Sequence, residues 1–181
     1  FSSPDGVRSF ELLREAPLTP DAPPPAASRG LNPPAGAFAM IDHIDALTLD
    51  GGTNGLGYVS GSKRVDPSEW FFRAHFFQDP VMPGSLGLEA LVQAVGAWAR
   101  ERFPDLVQSH RFQSLALGAP HIWQYRGQVV PTNQRVRVQA NVTRVSEGEG
   151  PTIVFDGQLL VDDKVIYAVQ DFALRLGRED P

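Results

Sequence analysis

The sequence predicts an α+β domain in which an antiparallel sheet wraps around one long helix. Three observations lead there. Residues 85–99, SLGLEALVQAVGAWA, are apolar around almost the whole helical circumference, the pattern of a helix enclosed by protein. Segments 38–49, 55–64, 112–117, 122–130, 135–145, 152–161 and 165–176 carry β-branched or alternating apolar residues, separated by Gly, Asn, Asp and Pro. At 181 residues and 42% hydrophobic content, the chain can bury one good core.

Along the chain, residues 1–16 contain the stretch Ser9-Phe-Glu-Leu-Leu-Arg14, which fits a short helix or strand and has no assignable role. Residues 17–35 are dense in Pro, Ala and Ser with almost no apolar periodicity, so they read as a semi-rigid linker. The folded domain is expected over 36–178. A linker ahead of such a domain, on a chain beginning with Phe1, suggests a fragment of a multidomain protein. Asp66-Pro67 before Ser68-Glu69-Trp70 reads as an N-cap followed by proline at the first position of a short helical turn. That turn delivers His75 to the mouth of the long helix.

Within the long helix only Glu89 and Gln93 interrupt the apolar pattern. Four residues apart, they share a helical face, where the Gln93 amide can orient the Glu89 carboxyl. Burial makes a carboxylic acid costly to ionise, so Glu89 can stay protonated and act as a general acid. A structural acid paired with an Arg is the alternative. Asp79-Pro80 and Pro83-Gly84 force a loop before the helix, which then starts at Gly84 or Ser85. Its first N–H groups lack internal partners and can polarise a carbonyl or bind an oxyanion, although an ordinary Pro-Gly turn has the same sequence. His75 lies among Phe71, Phe72, Phe76 and Phe77, surroundings that favour a neutral ring able to serve as a base, or equally a core histidine.

The ordered segment His75-Phe-Phe-Gln-Asp-Pro-Val-Met-Pro-Gly-Ser-Leu-Gly-Leu-Glu89 resembles the active-site motif of the 3-hydroxyacyl-[acyl carrier protein] dehydratases of the hotdog fold. Trp70-Phe71-Phe72, Arg126-Gly-Gln-Val-Val-Pro-Thr132 and Val161-Asp-Asp-Lys-Val-Ile-Tyr167-Ala-Val-Gln-Asp171 resemble the branch containing the 3-hydroxydecanoyl dehydratase/isomerase. The likeness covers roughly residues 37–176. It implies a hotdog in which His75 is the base and Glu89 the acid, with the Gly84 N–H on the thioester carbonyl. It further implies that Gln93 orients Glu89 and that Val81, Met82, Pro83 and Ser85 form the substrate loop. Family members with one hotdog are dimers whose His and acid come from different subunits, so a homodimer or a second hotdog is implied. The partner is acyl carrier protein, whose phosphopantetheine arm carries the substrate, and no further cofactor is implied. The isomerase branch has Asp where this chain has Glu89 and Cys where it has Ser85. Glu at that position resembles the simpler dehydratases and the dehydratase-like domains of polyunsaturated fatty acid and polyketide synthases, which puts isomerisation in doubt.

A net charge of −5 argues against a nucleic-acid surface, and the absence of Cys excludes disulfides and Cys-based metal sites. No apolar run is long enough for a membrane helix, and Phe1 starts no signal-peptide pattern, so a cytoplasmic location is expected. His43, His110 and His121 lack ligand-like spacing, so they read as structural or exposed and no metal site is indicated. Arg100, Arg102, Arg111, Arg126, Arg135 and Arg137 are candidates for a basic landing patch, and Leu86, Leu91, Trp98 and the Phe cluster for a tunnel lining. A hotdog thioesterase, with an acid on the helix and no need of His75, and a noncatalytic dimerisation hotdog are the competing readings.

Overall fold

A computed structural model describes residues 8–11, 31, 33–113, 118–147 and 150–178. The strands are β1 (Arg8–Glu11), β2 (His43–Thr48), β3 (Tyr58–Arg64), β4 (His110–Gln113), β5 (Ile122–Tyr125), β6 (Arg135–Ser146), β7 (Thr152–Val161) and β8 (Lys164–Arg178). The helices are α1 (Trp70–Ala74) and α2 (Gly84–Arg102). All strand pairs are antiparallel, in the order β1-β2-β3-β6-β7-β8-β4, and β5 also pairs with β8. α2 packs against β2, β3, β6 and β7. A sheet wrapped around one long helix in this way is the hotdog fold.

Strand burial follows residue chemistry. In β6, Val136, Val138, Ala140 and Val142 are buried while the polar residues between them face outward, the period of a half-buried strand. β7 and β8 join through Asp162 and Asp163, both at positive φ, 46° and 66°, as a two-residue hairpin turn of the primed type demands. The Asp162 carboxylate accepts hydrogen bonds from Arg135 N, Asn133 Nδ2 and Gln134 N, which hold its pKa below the ordinary value. These bonds tie the hairpin to the turn that opens β6.

The structure corrects several expectations. α1 begins at Trp70 after the N-cap position Glu69, not at Pro67. Asp66 instead accepts from Ser68 N and Oγ in a local turn, so its side chain closes the loop ahead of the helix. α2 is enclosed only along its later turns, where residues 93–99 are all buried. Ser85 is exposed, and Leu86, Leu88, Glu89 and Val92 are half-buried, because the sheet does not close over the first turns. Trp98 and Leu91 belong to the filled core. Trp98 Nε1 donates to Thr48 O at 2.9 Å, and a side chain on Gly57 would run into its indole.

Residues 17–30 of the expected linker lie outside the described residues. Leu31 is fully buried, its N–H donating to Val107 O and its carbonyl accepting from Arg100 Nη1. The six arginines do not form one free patch. Arg102 pairs with Glu147, Arg135 with Asp45 and Arg137 with Asp163, while Arg111 lies on β4, well removed from β6 in the sheet order.

Candidate active site

α2 starts at the residue after Pro83, and no side chain caps it. Proline at the N-cap has no hydroxyl or carboxylate to offer, so the first N–H groups and the positive end of a 19-residue helix dipole are left for another acceptor. A Cβ on Gly84 would lie 3.0 Å from Tyr125 Cε2 and 3.3 Å from Trp123 Cη2. Both rings are partly exposed, at 44% and 40%, and both pack on the buried Tyr167. Gly84 therefore permits a close approach between helix start and aromatic wall. Gly84→Ala is expected to crowd these rings and raise KM while leaving the melting temperature little changed, measured by steady-state kinetics beside thermal denaturation.

His75 ends α1 as its C-cap, with its N–H on Phe71 O at 2.9 Å. Its ring Nδ1 lies 3.0 Å from Val81 O. A carbonyl can only accept, so Nδ1 carries the proton in the neutral ring and Nε2 holds the free lone pair. This is the arrangement a general base needs. The aromatic enclosure expected around His75 is only half present: Phe71 and Phe72 are buried, but Phe76 and Phe77 are 64% and 90% exposed. Phe76 and Gln78 adopt positive φ, turning the chain outward after His75. Of the substrate loop, Val81 and Met82 are buried core side chains, Pro83 is half-buried and Ser85 is exposed. Val81 contributes its carbonyl to the site, and Met82 N anchors the loop on Val129 O at 2.9 Å.

Glu89 is half-buried, and its Oε1 accepts from Gln93 Nε2 at 2.8 Å. Burial pushes its pKa above the ordinary 4.5, and the Gln93 bond offsets part of that rise. Gln93 is itself fixed, donating to Phe38 O and accepting from Met40 N, both at 2.8 Å. Within one chain His75 and Glu89 do not bond each other: each is held by its own neighbours.

A raised folded-state pKa gives the sign of a stability effect. The cost of ionising buried Glu89 is absent below its ordinary value of 4.5 and fully present above the raised folded value. Glu89→Gln is expected to melt at the same or a higher temperature than wild type at neutral pH. Thermal denaturation against pH checks this, the difference closing as pH falls toward 4.5.

The sequence reading missed the wall of Trp123 and Tyr125 beside Gly84 and the 38–40 backbone that holds Gln93. Neither has a local signal, because each contact joins residues far apart in the chain. Of the remaining histidines, His43 and His121 are exposed, and His110 is half-buried beside Ser109.

Residues 32–170 match the FabA-like domain. The chain belongs to this family. The FabA-like domain is 37% identical over 145 residues to a component of the polyunsaturated fatty acid synthase of Thraustochytrium sp., covering 78% of this chain and 10% of that protein. The chain thus spans about a tenth of the length of this relative. Among solved structures it is similar to a dehydratase heterocomplex, ApeI:P, from Xenorhabdus doucetiae, at 12% identity and a TM-score of 0.46, covering 80% of this chain and 85% of that one. It is also similar to a candidate thioesterase from Shewanella oneidensis, at 14% identity and a TM-score of 0.45, covering 77% and 84%.

Proposed function

We propose that this FabA-like domain dehydrates a 3-hydroxyacyl thioester, carried on acyl carrier protein, to the trans-2-enoyl thioester, as one domain of a cytoplasmic fatty acid or polyketide synthase. The observation that carries the reading is the pairing of a ring held by Val81 O, with Nε2 free, and an acid of raised pKa on the helix whose uncapped start follows the His loop.

In this mechanism the Gly84 N–H receives the thioester carbonyl. His75 Nε2 removes the proton from C2 while negative charge grows on the carbonyl oxygen. The electron pair forms the C2–C3 double bond as the C3–O bond breaks. Glu89 donates its proton to the departing hydroxyl, which leaves as water. His75 then returns its proton to solvent and Glu89 takes one up. The two residues are each held apart within a chain, so the reading places His75 of one protomer opposite Glu89 of a second in a homodimer, or opposite the acid of another hotdog.

The test is mass spectrometry of 3-hydroxyacyl thioesters of several chain lengths after incubation with the protein. Loss of one water from the intact thioester, absent with His75→Ala, supports the proposal. Release of free acid and thiol supports a thioesterase, and no change with a verified folded dimer supports a scaffold. The position of the double bond in the product reads out isomerisation.

A further inference from the structure

We propose that residues 36–40 form a positioning strap through which Trp70 and Lys63 set the geometry of the base-bearing and acid-bearing helices, an inference that rests on the dehydratase reading. Three consecutive carbonyls of this segment each accept a hydrogen bond from a side chain of a different element. Ala37 O takes the Trp70 indole N–H of α1 at 2.9 Å. Phe38 O takes the Gln93 amide of α2 at 2.8 Å, and Ala39 O takes the Lys63 ammonium of β3 at 3.1 Å. Met40 N returns a bond to Gln93 Oε1 at 2.8 Å. Phe38 also packs its ring on Trp70, with centroids 6.1 Å apart.

The segment joins both halves of the chemistry. Trp70 opens the helix that ends at His75, and Gln93 holds Glu89. Lys63 adds a second tie to α1, because its ammonium lies 2.8 Å from Glu69, the residue immediately before that helix, and 3.6 Å from Asp42. Only 7% of Lys63 is exposed. Burying an ammonium against a loop carbonyl is costly unless its partners are held in place, which this cluster of two carboxylates and a carbonyl does. In a dimer that shares His75 and Glu89 between chains, every strap links the base of one site to the acid of the other.

The test compares Trp70→Phe, Gln93→Ala and the double variant by kcat and KM for dehydration, with melting temperature measured alongside. Trp70→Phe keeps the ring contacts and removes only the bond to Ala37 O. It is expected to lower kcat about tenfold with KM and melting temperature nearly unchanged, since misplacement of reacting groups costs rate before binding. In the double variant the losses are expected to overlap instead of multiplying, as for residues acting through a shared element. Lys63→Arg should recover more of kcat than Lys63→Met. An active wild type with Trp70→Phe unchanged, or with losses that multiply, overturns the strap alone. A wild type that dehydrates no thioester overturns the dehydratase reading, and the strap falls with it.

Discussion

Glu89→Gln is expected to reduce dehydration by about a hundred- to ten-thousandfold, the range for removing a positioned general acid, with the fold intact. The substitution keeps the shape of the side chain and an oxygen able to accept from Gln93 Nε2, so the helix face loses only its transferable proton. His75→Ala should cost a similar factor by removing the lone pair at Nε2. Its structural cost should be small, because the half-buried ring makes one hydrogen bond, to Val81 O. The two losses should not multiply, since proton removal and proton donation belong to the same elimination. Wild-type activity requires Glu89 protonated, so it should fall as pH rises through a pKa lifted above 4.5 by burial. That alkaline limb should be missing from the residual rate of Glu89→Gln. Initial rates against pH for the three proteins would check all of this together.

The largest effect on stability is expected from Trp98→Ala, at about 3–5 kcal/mol by denaturant titration. Trp98 is fully buried in α2, donates to Thr48 O and meets Phe103 edge-on with centroids 6.4 Å apart. Truncation opens a cavity where sheet and helix meet and leaves the Thr48 carbonyl without that donor. Against a typical stability of about 5–15 kcal/mol, the loss is a large share of the whole. Trp98→Phe should cost less, because it fills most of the space and forfeits the N–H. A small effect for both would mean that the α2 end of the core is looser than its burial implies.

Much of the fold was legible because the periodicities were clean. The apolar circumference of 85–99 marks α2, and the alternation in 135–145 marks β6, since side-chain chemistry and burial agree residue by residue there. Boundaries were harder to read. Asp66-Pro67 has the composition of a helix start, yet the Asp66 side chain turns to Ser68 and the helix waits until Trp70. In the site, the Glu89–Gln93 contact was readable because helical spacing alone brings the two together. The strap was not, because bonds such as Gln93 to Phe38 and Trp70 to Ala37 span 55 and 33 positions and depend on how the elements pack. The exposure of Phe76 and Phe77 was equally hidden, for it follows from positive φ at Phe76 and Gln78, residues with no local sign of it.

The central claim is elimination and addition of water at C3 by His75 and Glu89, and the reverse reaction tests it most directly. A trans-2-enoyl thioester would be incubated with the protein in water enriched in the heavy oxygen isotope, and the products read by mass spectrometry. The account predicts an intact 3-hydroxyacyl thioester bearing the label at C3, formed by wild type and by neither His75→Ala nor Glu89→Gln. Label in the carboxyl group of a released free acid, with none at C3, would contradict it.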